Sequence, residues 1–180
     1  TAIDLSAMPE LMNSVNDLAY LLQQVNPKAV AQARTYAQSF TSIFGQSVPP
    51  SYIDLGNFVQ LLTQTSGSQQ VNQAASRVLQ AMRTAIVAEK HGPGKPGASG
   101  VSLYFPNSQL YRSPAAGAQS YTAIAERFAY ESSWDDFLAF HYMGRPFEPA
   151  ANVIAAPRSG ETIVAPGTGA IEITGLTLSD

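Results

Sequence analysis

Apolar residues recur at helical spacing through the first half of the chain, and this narrows the available folds more than any other feature. Leu11, Val15, Leu18, Leu22 and Val25 follow one another at steps of four and three, which places them on one face of a helix that stops near Asn26-Pro27. Pro27 then opens a second helix with the face Val30, Ala33, Ala37 and Phe40, before Gly45 and Pro49-Pro50 interrupt the pattern. Asp54 is placed to cap a third, whose stripe of Leu55, Phe58, Val59 and Leu62 ends at the turn Ser66-Gly67-Ser68. Val71, Ala74, Ala75, Val78, Leu79 and Met82 mark a fourth. Helices with one apolar face must bury it against another layer.

Strand signals are fewer. Thr1 to Leu5 alternates apolar and polar residues, which predicts a short strand ending at Ser6, a good helix N-cap. The run Ala85 to Ala88 is compatible with helix or strand. After the Gly- and Pro-rich loop His91 to Gly100, the β-branched and aromatic residues of Val101 to Phe105 predict a strand closed by Pro106. Residues 107–120 read as irregular surface, Tyr121 to Tyr130 as a helix, and Ser133 with Asp136 as a capping box opening a short helix. Trp134, Phe137, Leu138 and His141 share the inner face of that last helix. From Gly144 onward the periodicity stops, and the spaced prolines Pro146, Pro149, Pro157 and Pro166 predict an extended segment. Ile171 to Leu178 alternates again, as the first strand of a β-rich module would. The pattern as a whole is α/β, with a domain over 1–147 and a Pro/Gly-rich tail over 148–180.

Composition excludes several functions. Ten basic against thirteen acidic residues give a formal charge of −3, and no stretch gathers Lys and Arg into a stripe able to follow a phosphate backbone, so nucleic acid is not an expected partner. No run of about 18 apolar residues predicts a membrane span, and the N-terminus has no signal-peptide pattern. Charged residues make up only 13%, against roughly 25% in ordinary soluble domains, which suits a secreted or cell-surface protein of bacterial type, or a fragment that docks on another. The opening Thr1-Ala2-Ile3-Asp4-Leu5, without an initiator Met, reads as a cut end. The absence of cysteine rules out a disulfide, a thiolate metal site and a cysteine nucleophile within these residues.

Three stretches together resemble the clostripain family of cysteine peptidases: Tyr52-Ile53-Asp54-Leu55-Gly56-Asn57-Phe58, Ala98-Ser99-Gly100-Val101-Ser102-Leu103-Tyr104-Phe105-Pro106, and Ser133-Trp134-Asp135-Asp136-Phe137-Leu138. The opening Ala2-Ile3-Asp4-Leu5-Ser6, followed by Pro9-Glu10-Leu11, is also similar to the stretch that follows the catalytic region in that family. The resemblance covers about residues 1–147. It implies the C-terminal part of a caspase-like three-layer α/β sandwich, with few strands and several helices, whose sheet is completed by an N-terminal segment. It further implies cleavage after Arg or Lys by a His and Cys pair, processing into a light and a heavy chain, and activation by Ca2+. The family's His and Cys lie N-terminal to the matched stretch, so no catalytic residue is carried onto this chain. The implied partners are the light-chain-like segment and a peptide or protein substrate. A non-enzymatic binding or spacer domain of a secreted multidomain protein is the alternative.

The residues that could carry chemistry each have a plainer role. Asp4 is the one acidic residue on the first predicted strand, and a buried carboxylate there would suit the base of a substrate pocket for Arg or Lys. An Asp before a helix start more simply bonds backbone amides. His91 lies at the edge of a Gly-rich loop and His141 on an apolar helix face, neither with a nucleophile or metal partner at recognisable spacing. The loop Gly92-Pro93-Gly94-Lys95-Pro96 lacks the earlier Gly and the following hydroxyl of a phosphate loop, because Glu89 and Pro96 hold those places. Glu126, Glu131, Asp135 and Asp136 form an acidic face without the spaced oxygen ligands of a calcium loop. Arg158, in the Pro- and Gly-rich stretch, is the expected processing site for an Arg-cleaving protease.

Overall fold

The computed structural model describes residues 1–40 and 50–151, together with the backbone of Ile163–Val164 and Ala170–Ile171. Local chemistry starts three of the long helices where the spacing predicts. The Asn26 side chain accepts from the Lys28 amide, and Pro27 takes the first position of α2 (Pro27–Tyr36), where a missing N–H costs nothing. Asp54 caps α3 (Leu55–Thr65) by accepting from the Asn57 amide, and Ser68 caps α4 (Gln69–Ala85) by accepting from Val71. Helix α1 (Met8–Leu21) runs into one tight 3-10 turn over Leu22–Gln24, which brings Leu22 and Val25 into the core with the rest of the stripe.

These four helices form the bulk of the core. α1 lies against α4, and α3 lies between α2 and α4, so the stripes of all four face inward. Leu18, Ala19, Phe58, Val59, Leu62, Ala74 and Val78 are all essentially solvent-free there. Burying a Leu, Val or Phe side chain contributes about 1.5–3 kcal/mol each, so this helical layer supplies most of the fold's driving force.

The strands are short and pair antiparallel. β1 (Ala2–Ile3) pairs with β4 (Ile86–Ala88), matching Ala2 with Ala88 and Ile3 with Ile86 across an irregular register. β2 (Ser39–Phe40), β3 (Tyr52–Asp54) and β5 (Ser102–Tyr104) form a second sheet in the order β2-β3-β5. Four helices follow: α5 (Ser108–Tyr111), α6 (Ala118–Ile124), α7 (Glu126–Glu131) and α8 (Trp134–Met143). In the tail, β6 (Ile163–Val164) pairs with β7 (Ala170–Ile171). The chain is therefore mixed α/β.

Several expectations change in detail. The cap at the first helical turn is Asp4 rather than Ser6: the Asp4 carboxylate accepts both the amide and the hydroxyl of Ser6, because Asp4 still has extended backbone and Ser6 is already inside the turn Leu5–Ala7. Phe40 leaves the α2 face, since the chain turns extended at Ala37 and carries it into β2. The ambiguous run divides at one residue, with Ala85 ending α4 and Ile86 opening β4. The expected single helix over Tyr121–Tyr130 breaks at Ala125, whose φ and ψ of −105° and 37° join α6 to α7. Residues 107–120 are less irregular than expected, because Asn107 caps α5 by accepting from the Leu110 amide. Ser133 precedes α8 without making the capping bond, and the Ser132 hydroxyl instead accepts the Trp134 amide at 3.4 Å. Arg158 and most of the alternating stretch Ile171–Leu178 lie outside the described residues.

Candidate functional site

Strand β3 runs straight into α3, and its last residue, Asp54, is both the end of a sheet strand and the N-cap of a helix. That junction is only 1% exposed. Besides the Asn57 amide at 2.9 Å, the Asp54 carboxylate accepts the Ser99 amide at 2.7 Å and the Ser99 hydroxyl at 2.6 Å. The Ser99 oxygen in turn accepts the Gly56 amide at 3.2 Å. A buried carboxylate needs this number of donors to offset its lost hydration. Residue 56 must be glycine for a steric reason: a Cβ there would stand 2.6 Å from the Ser99 oxygen and 3.2 Å from the Met82 methyl.

The strand after Ser99 carries the same junction into the aromatic core. Phe105 follows β5 and meets the rings of Phe58, Trp134 and Phe137 edge to face, at centroid distances of 5.6, 5.7 and 5.8 Å. Trp134 also meets Phe58 at 6.3 Å and donates its indole N–H to the Tyr104 carbonyl at 2.7 Å. Edge-to-face pairs of this kind add about 0.5–1.5 kcal/mol each beyond area burial. The stretches around Asp54, Ser99–Phe105 and Trp134 are thus one spine, locked by a carboxylate at one end and by four rings at the other.

Beside the carboxylate end a cleft of about 350 Å³ opens between α3, α4, β4 and the loop before Ser99. Its walls carry Asn57, Gln60, Arg83 and Ser99 over a floor of Gly56 and Met82. Amides, one guanidinium and one hydroxyl can hold a polar chain, but they make no nucleophile and base pair. The Ser99 hydroxyl donates its hydrogen bond to Asp54 rather than to an imidazole.

Asp4 is placed differently from the buried carboxylate a substrate pocket would use. It is exposed among the described residues, and the Ser6 hydroxyl and amide hold its carboxyl below the ordinary carboxylate range. The buried carboxylate of this fold is Asp54. Asp4 does stand at the end of β1, with its amide bonded to the Ala85 carbonyl at 2.8 Å, so the β1–β4 ribbon fixes its position.

The histidines are separate from one another in role. His91 pairs with Glu89 at 2.9 Å on the surface. His141 packs edge to face on Phe105 and Tyr142, and burial, with the nearby Arg34 charge, pushes its pKa below the ordinary value. That Arg34 guanidinium is itself fixed, donating to the Phe105 carbonyl at 3.0 Å and to the Pro50 carbonyl at 2.9 Å. The acidic face is divided too. Glu131 bonds Arg127 at 3.1 Å, Asp136 is exposed, and burial pushes the Asp135 carboxyl up. Among the described residues no three acidic or histidine side chains converge as a metal site, and no helix is long and apolar enough to cross a membrane.

Sequence reasoning placed Asp54 as a cap but missed its second partner. Ser99 lies 45 residues away in sequence, and its signal was only its place within the Ala98-to-Pro106 stretch. Comparison with protein-family models, with curated proteins and with solved structures gave no match to this chain.

Proposed function

We propose that this chain is the C-terminal, heavy-chain-like part of a cysteine endopeptidase that cleaves after Arg or Lys, with the His and Cys supplied by a segment N-terminal to it. The observation that carries the reading is the spine: the three stretches that resemble clostripain-like peptidases, 45 or more residues apart in places, meet in one carboxylate-and-ring junction.

The β1–β4 ribbon supports the role of the missing partner. Two short strands alone are a weak structure, and Ile3, Leu5 and Val87 along this ribbon are 38, 76 and 71% exposed. A preceding segment pairing along β1 would cover that apolar surface and complete a caspase-like sheet. On this reading Asp4, at the end of β1, would lie beside the added segment, where its carboxylate could meet an Arg or Lys side chain. Ca2+ activation belongs to the same reading through the family resemblance alone, whereas cleavage at Arg158 rests on the Pro- and Gly-rich stretch around it and export from the cell on the low share of charged residues.

The test is to purify the chain from its source, record the intact mass and N-terminal sequence of every co-purifying polypeptide, and assay hydrolysis of an Arg-containing peptide. A tightly bound second chain with a His and a Cys, active only in the complex, is the expected result. A folded monomer without such a partner would favour a binding or spacer domain, and hydrolysis by this chain alone would contradict the assignment of the catalytic pair.

A further inference from the structure

The segment 118–131 is built unlike the rest of the described fold. α6 buries only Tyr121, α7 buries nothing, and the two are joined at the irregular Ala125. Its ends, by contrast, are fixed. Gly117 sits so close to the Tyr111 and Ser113 carbonyls that a Cβ would come within 2.3 and 2.4 Å of them. At the other end the buried Asn16 side chain donates to the Glu131 carbonyl at 3.4 Å and accepts the Ser133 amide at 3.0 Å. Two anchored ends with a loosely packed, jointed middle make a flap.

Beneath the flap lies an apolar groove of about 280 Å³, walled by Met8 and Leu11 of α1, Tyr52 and Leu103 of the sheet, and Tyr121 and Phe128 of the flap itself. Its depth is set by how Tyr121 meets the sheet. The ring stacks flat on Tyr104 at 4.4 Å and 10°, a face-to-face contact along which one ring can move over the other without crossing it. Ile124 and Tyr130 on the same flap are 82 and 85% exposed.

Among the described residues, the buried Tyr121 hydroxyl and Asp135 Oδ1 have no hydrogen-bond partner. One is a donor and the other an acceptor, and the Asp135 charge acts on the Tyr121 hydroxyl. A buried polar group without a partner is destabilising, and a slide of the flap that joined the two would satisfy both. We infer that α6 and α7 form a lid over the groove between α1 and the β3–β5 sheet, with a second, closed position in which the Tyr121 hydroxyl donates to Asp135. The two positions are separated by a slide of Tyr121 along Tyr104, hinged at Gly117 and at the Asn16 clasp. This inference does not depend on the peptidase reading.

The chain contains no cysteine, so spin labels can be introduced without removing any. Labels at Glu10→Cys on α1 and Tyr130→Cys on α7, both exposed positions, report the lid distance by pulsed electron resonance in the full chain. Two distance populations are expected, with the shorter one lost when Tyr121→Phe is added. A single population, unchanged by that substitution, overturns the inference. Should the labelled variants fail to fold, hydrogen exchange on unlabelled chains decides the same question. Tyr121→Phe should then speed exchange across residues 118–131 about fivefold, whereas unchanged or slower exchange, as expected when a hydroxyl with no partner is removed, refutes the closed position.

Discussion

Asp54→Ala tests the junction on which the spine depends. Three donors converge on this carboxylate at 2.9, 2.7 and 2.6 Å, and the residue is 1% exposed. Loss of the helix cap alone costs about 1 kcal/mol. The Ser99 amide and hydroxyl each lose a charged acceptor as well, and an unpaired buried donor costs about 1–3 kcal/mol. Ser99 borders the open cleft, so water relieves part of the second term. The expected total is about 3 kcal/mol, equivalent to a fall of roughly 6–12 °C in Tm for a chain of this size. Asp54→Asn keeps one acceptor oxygen but turns an amide N–H2 towards a donor, so it should cost roughly half as much. Urea unfolding, read from the midpoint at constant slope, measures both. In a double-mutant cycle with Ser99→Ala the effects should fall well short of adding, because both substitutions break the same bond. An Asp54→Ala chain within about 0.5 kcal/mol of the parent would refute the claim that this carboxylate locks the spine.

Three other outcomes follow from the same geometry. Gly56→Ala pushes a methyl against the Ser99 side chain and Met82, so it should lower the unfolding free energy by about 1–3 kcal/mol, and a neutral effect would show that Ser99 gives way easily. His141 has a folded pKa below its ordinary 6.5, so as pH falls through that value the unfolded chain takes up a proton the folded chain resists, and stability is lost towards acid. His141→Phe should flatten the decline in urea midpoint between about pH 7 and 5, and parallel pH profiles would exclude His141 as its source. Gln23 grips Phe147 at both its amide and its carbonyl, at 3.1 Å each, so Gln23→Leu should accelerate hydrogen exchange at the Phe147 amide while leaving α1 protected; unchanged exchange would mean that the clasp does not hold in solution.

The helical half of the fold was legible because its signal is local. Leu11 to Val25 and Val71 to Met82 repeat at a spacing that only a helix turns into one face, and Asn26-Pro27, Asp54 and Ser68 are end signals that act within three residues. Where two local signals competed, tertiary contacts decided. Ile86 leaves α4 because β1 offers it a ladder, and Phe40 leaves the α2 face for a place beside Tyr52. The break at Ala125 had no local cue, since Tyr121 to Tyr130 contains neither Gly nor Pro. It lies instead between two anchors supplied from elsewhere, Gly117 under its carbonyls and Asn16 on the distant α1.

The candidate site was less legible for a related reason. Periodicity reports which residues are buried, whereas a site depends on which buried groups meet, and Asp54 with Ser99 is a meeting across 45 residues. The stretches that carried the resemblance prove to be scaffold: a cap, a strand and an aromatic anchor whose side chains point at one another. Each of these residues is held by several others, so a replaced ring or carboxylate strands its partners. Asp4 is exposed, its carboxylate is bonded only within its own turn and its amide to Ala85, so any role beyond capping depends on what covers the β1–β4 ribbon. On the proposed peptidase reading, Asp4→Asn in the assembled protein should leave folding intact, because Asn also caps a helical turn, while weakening the preference for Arg and Lys over neutral residues, and an unchanged preference would remove Asp4 from the substrate pocket.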